Sequence, residues 1–356
     1  MQEVKKICED GFYLGKKDIN IDGLAFISLK LALKSYFATY QTMKYSLHMF
    51  EQNEEEKKRS LPPYGSAYCE LCSETIIHFH HFFELIFKEI LRSENILLSI
   101  DIKSDNHEIL YDLITNNTIA DEDLEKIHEL EFSTTLNRLM RLIKRRNFGG
   151  GKFDFMMDSE DTLKQLNILR NRLLHRGVYI LSYTALDKLV GYYILPLVNQ
   201  IAQLPQYKAF NNRWKYENLS CGYDPVKEII NNVKENYDMS KVAFLKELGR
   251  GAYNIKTGFL FEQLEKYKYE KTAKLFEKEN NISHITKCPV CGLNTLMVYD
   301  DVVTDDYDES TYSFAKAWRH TWKVECVNCN FNISNDLKNP KEYGLNIADY
   351  WEVQDL

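Results

Sequence analysis

Eight consecutive residues, Arg170 to Gly177, carry the side-chain types needed to cleave RNA without a metal ion. In that reaction a base deprotonates the ribose 2′-OH, a cation stabilises the phosphorane, and an acid protonates the leaving 5′-oxygen. Arg170 offers a fixed positive charge, and His175 offers an imidazole, the side chain that most often transfers protons in enzymes. We therefore expect Arg170 to bind the phosphate and His175 to transfer protons, with Asn171 orienting the histidine or the phosphate.

The helix that carries these residues is predicted to run from Ser159 to Arg176, because a glycine at position 177 is typical of a helix end. Asn171 and His175 are four residues apart and therefore lie on the same face. His175 falls in the last turn of this helix. The apolar face of this helix is predicted to contain Leu163, Leu166, Ile168, Leu169, Leu173 and Leu174.

A single histidine cannot readily act as both acid and base in one step. A dimer with a twofold axis would bring a second copy of the motif helix across the interface, and each copy could then take one role. We therefore expect a homodimer.

The pattern Arg170-Asn171-x3-His175 resembles the Arg-x4-6-His signature of the HEPN family in its common Arg-Asn-x3-His form. The stretch Phe82 to Leu91 resembles the earlier helix of HEPN domains, in which a glutamate and a lysine stand four residues apart. The resemblance covers about residues 63 to 205, and it implies a helical bundle with Glu84 and Lys88 near the motif. Without the resemblance, the Arg-His spacing is common, and the Glu-Lys pair is an ordinary salt bridge.

A second group of basic residues lies on the helix that precedes the triple glycine Gly149 to Gly151. The spacing places Arg138, Arg141 and Arg145 on one face, either as a contact for the RNA backbone or as a solvated surface. Charge beside the motif itself is added by Arg172 and Arg176, which we also assign to RNA binding.

Two Cys-x-x-Cys pairs near the C-terminus predict a metal site. Each pair presents two thiolates to one tetrahedral ion, and two pairs complete a closed shell with no open position for catalysis. We therefore predict structural zinc, held in a zinc ribbon, and no catalytic metal. The predicted ligands are Cys288, Cys291, Cys326 and Cys329.

The insert between the two cysteine pairs contains an acidic loop, predicted at Asp300 to Glu309. The aromatic residues of the ribbon are expected to fill its small core rather than to stack on bases. They are Tyr299, Tyr307, Trp318 and Trp322.

A third Cys-x-x-Cys, Cys69 to Cys72, falls at the start of a predicted helix. Because residues three apart share a helical face, the favoured interpretation is two small buried residues. The competing interpretation is a second metal site that uses His78, His80 or His81.

The composition of the 356 residues favours long helices, because Gly 15 and Pro 7 are few for this length. A net charge of −7 argues against a basic coat for duplex DNA, although a local basic groove remains compatible. The charged N-terminus does not resemble a signal peptide, and the longest apolar stretch, Leu189 to Val198, is too short to span a bilayer. We therefore expect a cytoplasmic protein without membrane contact.

The predicted fold class is mainly α: a HEPN-like helical bundle with additional helices and a small C-terminal β zinc ribbon. Helices are predicted at 22–51, 67–97, 107–115, 121–146, 159–176, 183–204, 226–237 and 241–278, and strands at 296–299 and 322–324. A break near Ser133 is considered for the helix at 121–146, and a kink or break is predicted around Pro196. We divide the chain into an N-terminal helical segment (1–62), the bundle (63–205), a helical connector (206–283), the ribbon (284–334) and a tail (335–356).

The resemblance implies a metal-independent endoribonuclease that cleaves cellular RNA, with tRNA as one candidate, and that serves as a toxin or an antiviral defence effector. A protein activator or antitoxin would then control it. The alternative is a non-catalytic dimeric interaction or RNA-binding protein that uses the ribbon as its contact module. A zinc-ribbon transcription accessory factor is a third interpretation, disfavoured by the acidic charge and the large helical portion.

Overall fold

The computed structural model describes residues 21–50, 64–101, 107–116, 127–146, 148–177, 179–215, 219–257, 262–279, 282–304, 307–308, 313–314 and 316–355. These residues are mainly helical, with an antiparallel sheet near the C-terminus, which confirms the predicted mainly α class. The chain divides into two compact units that interleave along the sequence. The motif unit comprises 1–32, 76–179 and 197–215, and the cysteine unit comprises 33–75, 180–196 and 216–356.

The helices follow the predicted order, with several different ends. They are α1 (Ile21–Met43), α2 (Ser66–Glu94), α3 (His107–Asn116), α4 (Phe132–Arg146), α5 (Glu160–Asn171), α6 (Tyr183–Lys188), α7 (Leu195–Ala202), α8 (Pro225–Glu235), α9 (Met239–Tyr253) and α10 (Glu262–Glu279). Among the described residues, no helix combines the length and the apolar character that a bilayer crossing requires.

The core of the motif unit is aromatic. The ring of Phe26, on α1, lies with its centroid 5.7 Å from Phe82 on α2 and 5.4 Å from Phe210. A short antiparallel pair, β1 (Ile100–Asp101) and β2 (His128–Glu129), precedes α4. These contacts hold α2, which carries Glu84, at a fixed place in the unit.

Helix α4 begins at Phe132, next to the break considered near Ser133, and the predicted start near Asp121 falls in residues 117–126, which lie outside the described part of the chain. Its buried face repeats at helical spacing, and its last turn is basic. The glycines that follow form a tight turn, with φ of 70° at Gly149 and 64° at Gly150. The stacked rings of Phe148 and Phe153, 5.8 Å apart, close this turn.

Two predicted helices are interrupted. The helix 183–204 is irregular next to Pro196, as predicted: a π-helical turn, Leu189–Ile194, lies between α6 and α7. Proline lacks the N–H that would continue the helical ladder, so a local irregularity is expected there. The predicted helix 241–278 is two helices, α9 and α10, with residues 258–261 outside the described chain.

The cysteine unit contains a five-stranded antiparallel sheet in the order β3 (Ile282–Lys287), β4 (Asn294–Thr304), β7 (Ala317–Cys326) and β8 (Asn332–Ser334), with β9 (Val353–Asp355) paired to β7. The short strands β5 (Tyr307–Asp308) and β6 (Ser313–Phe314) form a separate two-stranded antiparallel sheet. The predicted acidic loop begins as strand, because residues 300–304 of β4 pair with residues 317–321 of β7. Residues 305–306 and 309 of that predicted loop lie outside the described chain.

A buried ion pair occupies the helical core of the cysteine unit. Lys246 of α9 and Asp187 of α6 are both fully buried, with Nζ and Oδ1 2.5 Å apart. Lys246 also donates to Thr39 Oγ1 at 3.0 Å, and the Tyr237 hydroxyl donates to Asp187 Oδ2 at 3.1 Å. Burial lowers the pKa of Lys246 and raises the pKa of Asp187, while their mutual attraction opposes both changes.

Removing one member of this pair should destabilise the chain strongly. Asp187→Leu would leave the Lys246 ammonium buried without its counter-charge, at a cost of roughly 3–5 kcal/mol in the free energy of unfolding. The double variant Asp187→Leu/Lys246→Met removes both charges and should recover most of that loss. Chemical denaturation followed by circular dichroism measures both, and a double variant no more stable than the single one would contradict the interpretation.

Candidate functional site

The motif helix ends as predicted. Helix α5 continues into a π-helical turn, Arg172–Arg176, and stops at Gly177, whose φ is 61°. The Gly177 N–H donates to the carbonyl oxygens of Arg172 and Leu173 at 3.1 and 3.2 Å. The predicted glycine stop is confirmed, whereas the π turn was not predicted.

The three motif residues with assigned roles line one cleft of about 340 Å³. Glu84, from α2, lines the same cleft, so the structure brings it beside the motif as the resemblance implied. The remaining lining residues come from α2, from α5 and from the start of α4: His80, Glu131, Phe132, Ser133 and Asn167.

The polar residues of the cleft are ordered by hydrogen bonds. Arg170 Nη1 donates to Asn171 Oδ1 at 2.9 Å, and His80 Nε2 lies 2.9 Å from Asn167 Oδ1. The His80 ring packs on Phe132, with centroids 4.2 Å apart. The side chains of both α2 and α4 therefore fix the position of α5 and its motif.

The two histidines of the cleft differ in environment. His175 is exposed, whereas His80 is buried. Burial lowers the pKa of His80, while the hydrogen bond to Asn167 and the nearby Glu84 carboxylate act in the opposite direction. His80 is therefore a neutral imidazole at pH 7.

The sequence does not predict His80 or Asn167 as residues of this site. It suggests His80 only as a possible metal ligand. Both could have been found by helical periodicity. Asn167 lies four residues before Asn171, and His80 lies four residues before Glu84, so each extends a polar strip by one turn.

Lys88 does not line the cleft and instead forms a charged cluster beside it. Its Nζ lies 2.9 Å from Glu84 Oε1 and 2.9 Å from Glu129 Oε2, and Arg92 donates to Glu129 Oε1 at 2.9 Å. Burial opposes the positive charge of Lys88, but the hydrogen bonds to Glu129 and Glu84 raise its pKa above the usual value. Lys88 thus remains charged and holds Glu84 in place.

The three arginines assigned to one face of α4 are not equivalent. The Arg138 guanidinium donates to the carbonyl oxygens of Leu97, Leu98 and Ile100 at 3.2, 2.9 and 3.4 Å. Arg141 and Arg145 are exposed. A second cleft, of about 400 Å³, is lined by Thr134, Asn137, Arg138, Arg141 and Leu142.

Arg172 is exposed, with its guanidinium 5.3 Å from the centroid of the Tyr179 ring. The side chain of Arg176 lies outside what the structure describes. Within the predicted apolar face of the motif helix, Leu163 and Leu166 are fully buried, whereas Ile168 is 40% exposed and Leu174 is 49% exposed. One part of the predicted apolar face is therefore available to a partner.

Arg138 and Arg141 should give opposite results when they are replaced. Arg138→Gln removes a charged donor from three partly buried carbonyl oxygens and should lower the free energy of unfolding by about 1–3 kcal/mol. Arg141→Gln should leave stability unchanged, weaken RNA binding, and reduce the slope of log affinity against log salt concentration by about 1. Thermal unfolding and filter binding at several salt concentrations measure the two effects, and an unchanged salt slope in Arg141→Gln would exclude it as a phosphate contact.

The four predicted ligands form one cluster in the cysteine unit, and their sulfur atoms all lie within 4.8 Å of one another. Cys288 Sγ is 3.5 Å from Cys329 Sγ, and Cys291 Sγ is 3.7 Å from Cys326 Sγ. A tetrahedral zinc ion with Zn–S bonds of ~2.3 Å places its sulfur ligands ~3.8 Å apart. The cluster can therefore hold a metal ion such as zinc.

The two halves of the cluster have the same backbone geometry. In the first, Gly292 has φ 75° and its N–H donates to the Cys288 carbonyl at 3.0 Å. In the second, Asn330 has φ 57° and its N–H donates to the Cys326 carbonyl at 2.9 Å. Glycine and asparagine are the residues that best tolerate this left-handed conformation, so Asn330 is the counterpart of Gly292.

Helix α9 supports the second half of the cluster. The fully buried Glu247 accepts from the Asn332 N–H at 2.5 Å and from Arg250 at 2.6 Å, and Arg250 also donates to the Asn330 carbonyl. Lys256 donates to the Val327 carbonyl at 2.9 Å. The cysteine cluster is thus built into the helices of its unit.

The other Cys-x-x-Cys pair does not form a metal site within the described residues, where the C-terminal cysteines are the only group of three or more metal-ligating side chains in reach of one ion. Cys72 is buried, and its Sγ lies 4.0 Å from the Leu181 carbonyl. Burial raises the pKa of the Cys72 thiol to about 11, so the group is not a thiolate at neutral pH.

The expectation that the aromatic residues of the ribbon fill its core is wrong for Trp322, which is 37% exposed. The Trp322 ring lies 6.3 Å from Tyr299, and Lys323 Nζ lies 5.0 Å from the centroid of Tyr299. Trp322 lies where the register of β7 against β4 shifts, between the pairs Tyr299–Lys323 and Asp300–Thr321, so this irregularity takes it out of the alternation that buries Val324. The side chain of Tyr307 lies outside what the structure describes.

Comparisons of the chain with protein-family models, with curated proteins and with solved structures find no match.

Proposed function

We propose that this protein is a metal-independent endoribonuclease of HEPN type. The observation that carries the proposal is the cleft that contains Arg170, Asn171 and His175 together with Glu84. A fixed cation, an exposed imidazole and oriented amides are the groups that 2′-OH attack on a phosphodiester uses. The four-cysteine cluster lies in the other unit, and a closed shell of that kind offers no open position for chemistry.

In this proposal Arg170 stabilises the phosphorane, and its hydrogen bond to Asn171 fixes both side chains against the phosphate. His175, exposed at the edge of the cleft, exchanges protons with the 2′-OH or with the leaving 5′-oxygen. The reaction breaks the P–O5′ bond, forms the O2′–P bond, and leaves a 2′,3′-cyclic phosphate and a 5′-OH.

The second proton-transferring group would come from a second copy of the chain. Ile168 and Leu174 expose apolar surface on the same helical segment that carries Arg170 and His175. A twofold axis beside this segment would bury that surface and bring the two copies of His175 towards one another. A homodimer is therefore part of the proposal.

The zinc ribbon would contact the substrate or a controlling protein. The exposed Trp322 beside Tyr299 supplies a stacking surface, which suits single-stranded RNA. The neighbouring Lys323 is ion-paired with Glu325. Arg141 and Arg145 would bind phosphates outside the cleft. In a cell, such an enzyme would act on cellular RNA, with tRNA as one candidate, as a toxin or an antiviral defence effector under the control of an activator or antitoxin.

The experiment that tests this proposal is incubation of the full chain with total RNA in EDTA, followed by analysis of the RNA ends. Cleavage that leaves cyclic phosphate and 5′-OH ends supports the proposal. The zinc content is measured before and after incubation. This shows whether a lack of cleavage results from removal of the structural metal by EDTA.

The same surface at Trp322 supports the alternative function, a dimer that binds RNA without cleaving it. Intact RNA after long incubation, combined with retained binding that Trp322→Ala weakens, would favour this alternative over the nuclease.

A further inference from the structure

Two asparagines one turn apart on α5 present hydrogen-bond donors in the cleft. Asn167 and Asn171 both line it, and each has its side-chain oxygen engaged by a basic residue. His80 Nε2 lies 2.9 Å from Asn167 Oδ1, and Arg170 Nη1 donates to Asn171 Oδ1 at 2.9 Å. Because an amide whose oxygen is engaged keeps two N–H donors on its other side, each side chain has an NH2 group left for a ligand.

Within the described part of the chain, these donors remain available to a ligand. Neither amide NH2 has an acceptor among the residues that the structure describes. Arg170 keeps further N–H groups beyond the one that Asn171 accepts, because a guanidinium has five donors. The wall of the cleft formed by α5 is therefore rich in donors and suits a ligand with several oxygen acceptors.

The charges that face this wall set the kind of ligand. Two carboxylates, Glu84 and Glu131, also line the cleft, and Glu84 Oε2 lies 3.8 Å from His80 Nδ1. Glu84 is paired with Lys88 at 2.9 Å, and Glu131 is exposed, so solvent screens it. An anion seated against α5, beside Arg170 and His175, thus contacts donors and a cation first.

His80 acts on this wall through Asn167. Its ring is buried and packed on Phe132, and it is neutral, so it carries one ring N–H. The short contact from Nε2 to an amide oxygen places that N–H on Nε2. His80 therefore fixes the amide with its oxygen inward and its nitrogen available to the cleft.

We propose that Asn167 is a substrate-binding residue, whose amide NH2 donates to a non-bridging oxygen of a bound phosphate, and that His80 is its positioning residue. The identity of that phosphate as an RNA phosphodiester rests on the proposed function. The oxyanion site itself does not, because it follows from the donors of α5.

Inorganic phosphate is the probe that separates the two claims. It is titrated, in a buffer without other oxyanions, into the metal-loaded full chain, and the histidine ring signals are followed by NMR. The His175 signal is assigned by its absence from His175→Ala. We expect saturable shifts in the wild-type protein and an affinity about ten- to hundredfold lower in Asn167→Ala, the loss typical of one hydrogen bond to a charged group.

The variants of His80 test the positioning role. His80→Gln keeps a nitrogen donor near the same place and should retain phosphate affinity within about threefold. His80→Phe keeps the packing on Phe132 but has no donor, and its affinity should fall towards that of Asn167→Ala. Thermal unfolding of each variant identifies any that fail to fold; in that case Asn167→Asp, which replaces the donor by an acceptor on a half-exposed residue, carries the test.

Each result supports or overturns either the binding role of Asn167 or the positioning role of His80. Wild-type protein that does not bind phosphate, or an Asn167→Ala variant that binds it as tightly as wild type, overturns the binding role. Equal affinity in folded His80→Phe and in wild type overturns the positioning role. Phosphate binding that follows the expected series while RNA stays intact supports the site and counts against the nuclease proposal.

Discussion

His175→Ala should lower the rate of RNA cleavage by about 10²–10⁴-fold, because proton transfer by a positioned side chain contributes about that much to such reactions. His175 is exposed at the cleft edge, so its removal leaves no buried group unpaired and should not alter stability. Single-turnover cleavage of a defined substrate measures the loss.

Arg170→Ala should lower the cleavage rate by about 10²–10³-fold for a different reason, because it removes the cation that stabilises the phosphorane.

The matched control is His284→Ala, which removes an exposed histidine on β3 of the other unit. It should cleave at the wild-type rate. A His175→Ala protein that retains more than about one tenth of wild-type activity would exclude His175 from proton transfer.

Co-purified dimers with one intact copy of His175 test how the two proton transfers are shared. If each copy supplies one of the two groups, a dimer with a single His175 should be almost as slow as the double variant. If each copy works alone, that dimer should keep half of the wild-type activity, and the shared-dimer arrangement would be wrong.

Loss of the metal from the four-cysteine cluster should have the largest effect on stability. Structural zinc sites of this type contribute on the order of 10 kcal/mol of binding free energy at neutral pH, and only the folded chain has the site preformed. Cys326→Ser should therefore bind little metal and unfold at a much lower temperature. Acidification should have the same effect, because protons compete with the ion for the thiolates.

The control for this prediction is Cys69→Ser, since Cys69 is half-buried and lies outside the cluster. It should retain one metal ion for each chain and the wild-type unfolding temperature. Wild-type protein that contains no zinc after purification without chelators, yet unfolds at the same temperature as Cys326→Ser, would exclude a structural metal.

The features that the sequence predicted well are those encoded by local spacing. The two Cys-x-x-Cys pairs predicted the ligand set because each pair forms its own turn, and the two turns need only one ion or one core to bring them together. Gly177 predicted the end of the motif helix because few other residues adopt a left-handed φ without strain.

The features that the sequence missed depend on which distant segments pack together. The spacing of Arg138 indicated a solvated or RNA-binding face, but the carbonyls that it contacts belong to residues 97 to 100, about forty positions earlier.

By itself the sequence determined the helical class, the two turns of the four-cysteine cluster and the placement of Arg170, Asn171 and His175 at the end of one helix, because each follows from periodicity or from turn chemistry within a few residues. Only the tertiary structure decided that His80, Glu84 and Asn167 meet around those residues, and that Lys246 and Asp187 pair in the core of the other unit. These contacts depend on how helices far apart in the chain pack together. Burial and hydrogen bonding between such segments outweigh the local secondary-structure propensity of each residue.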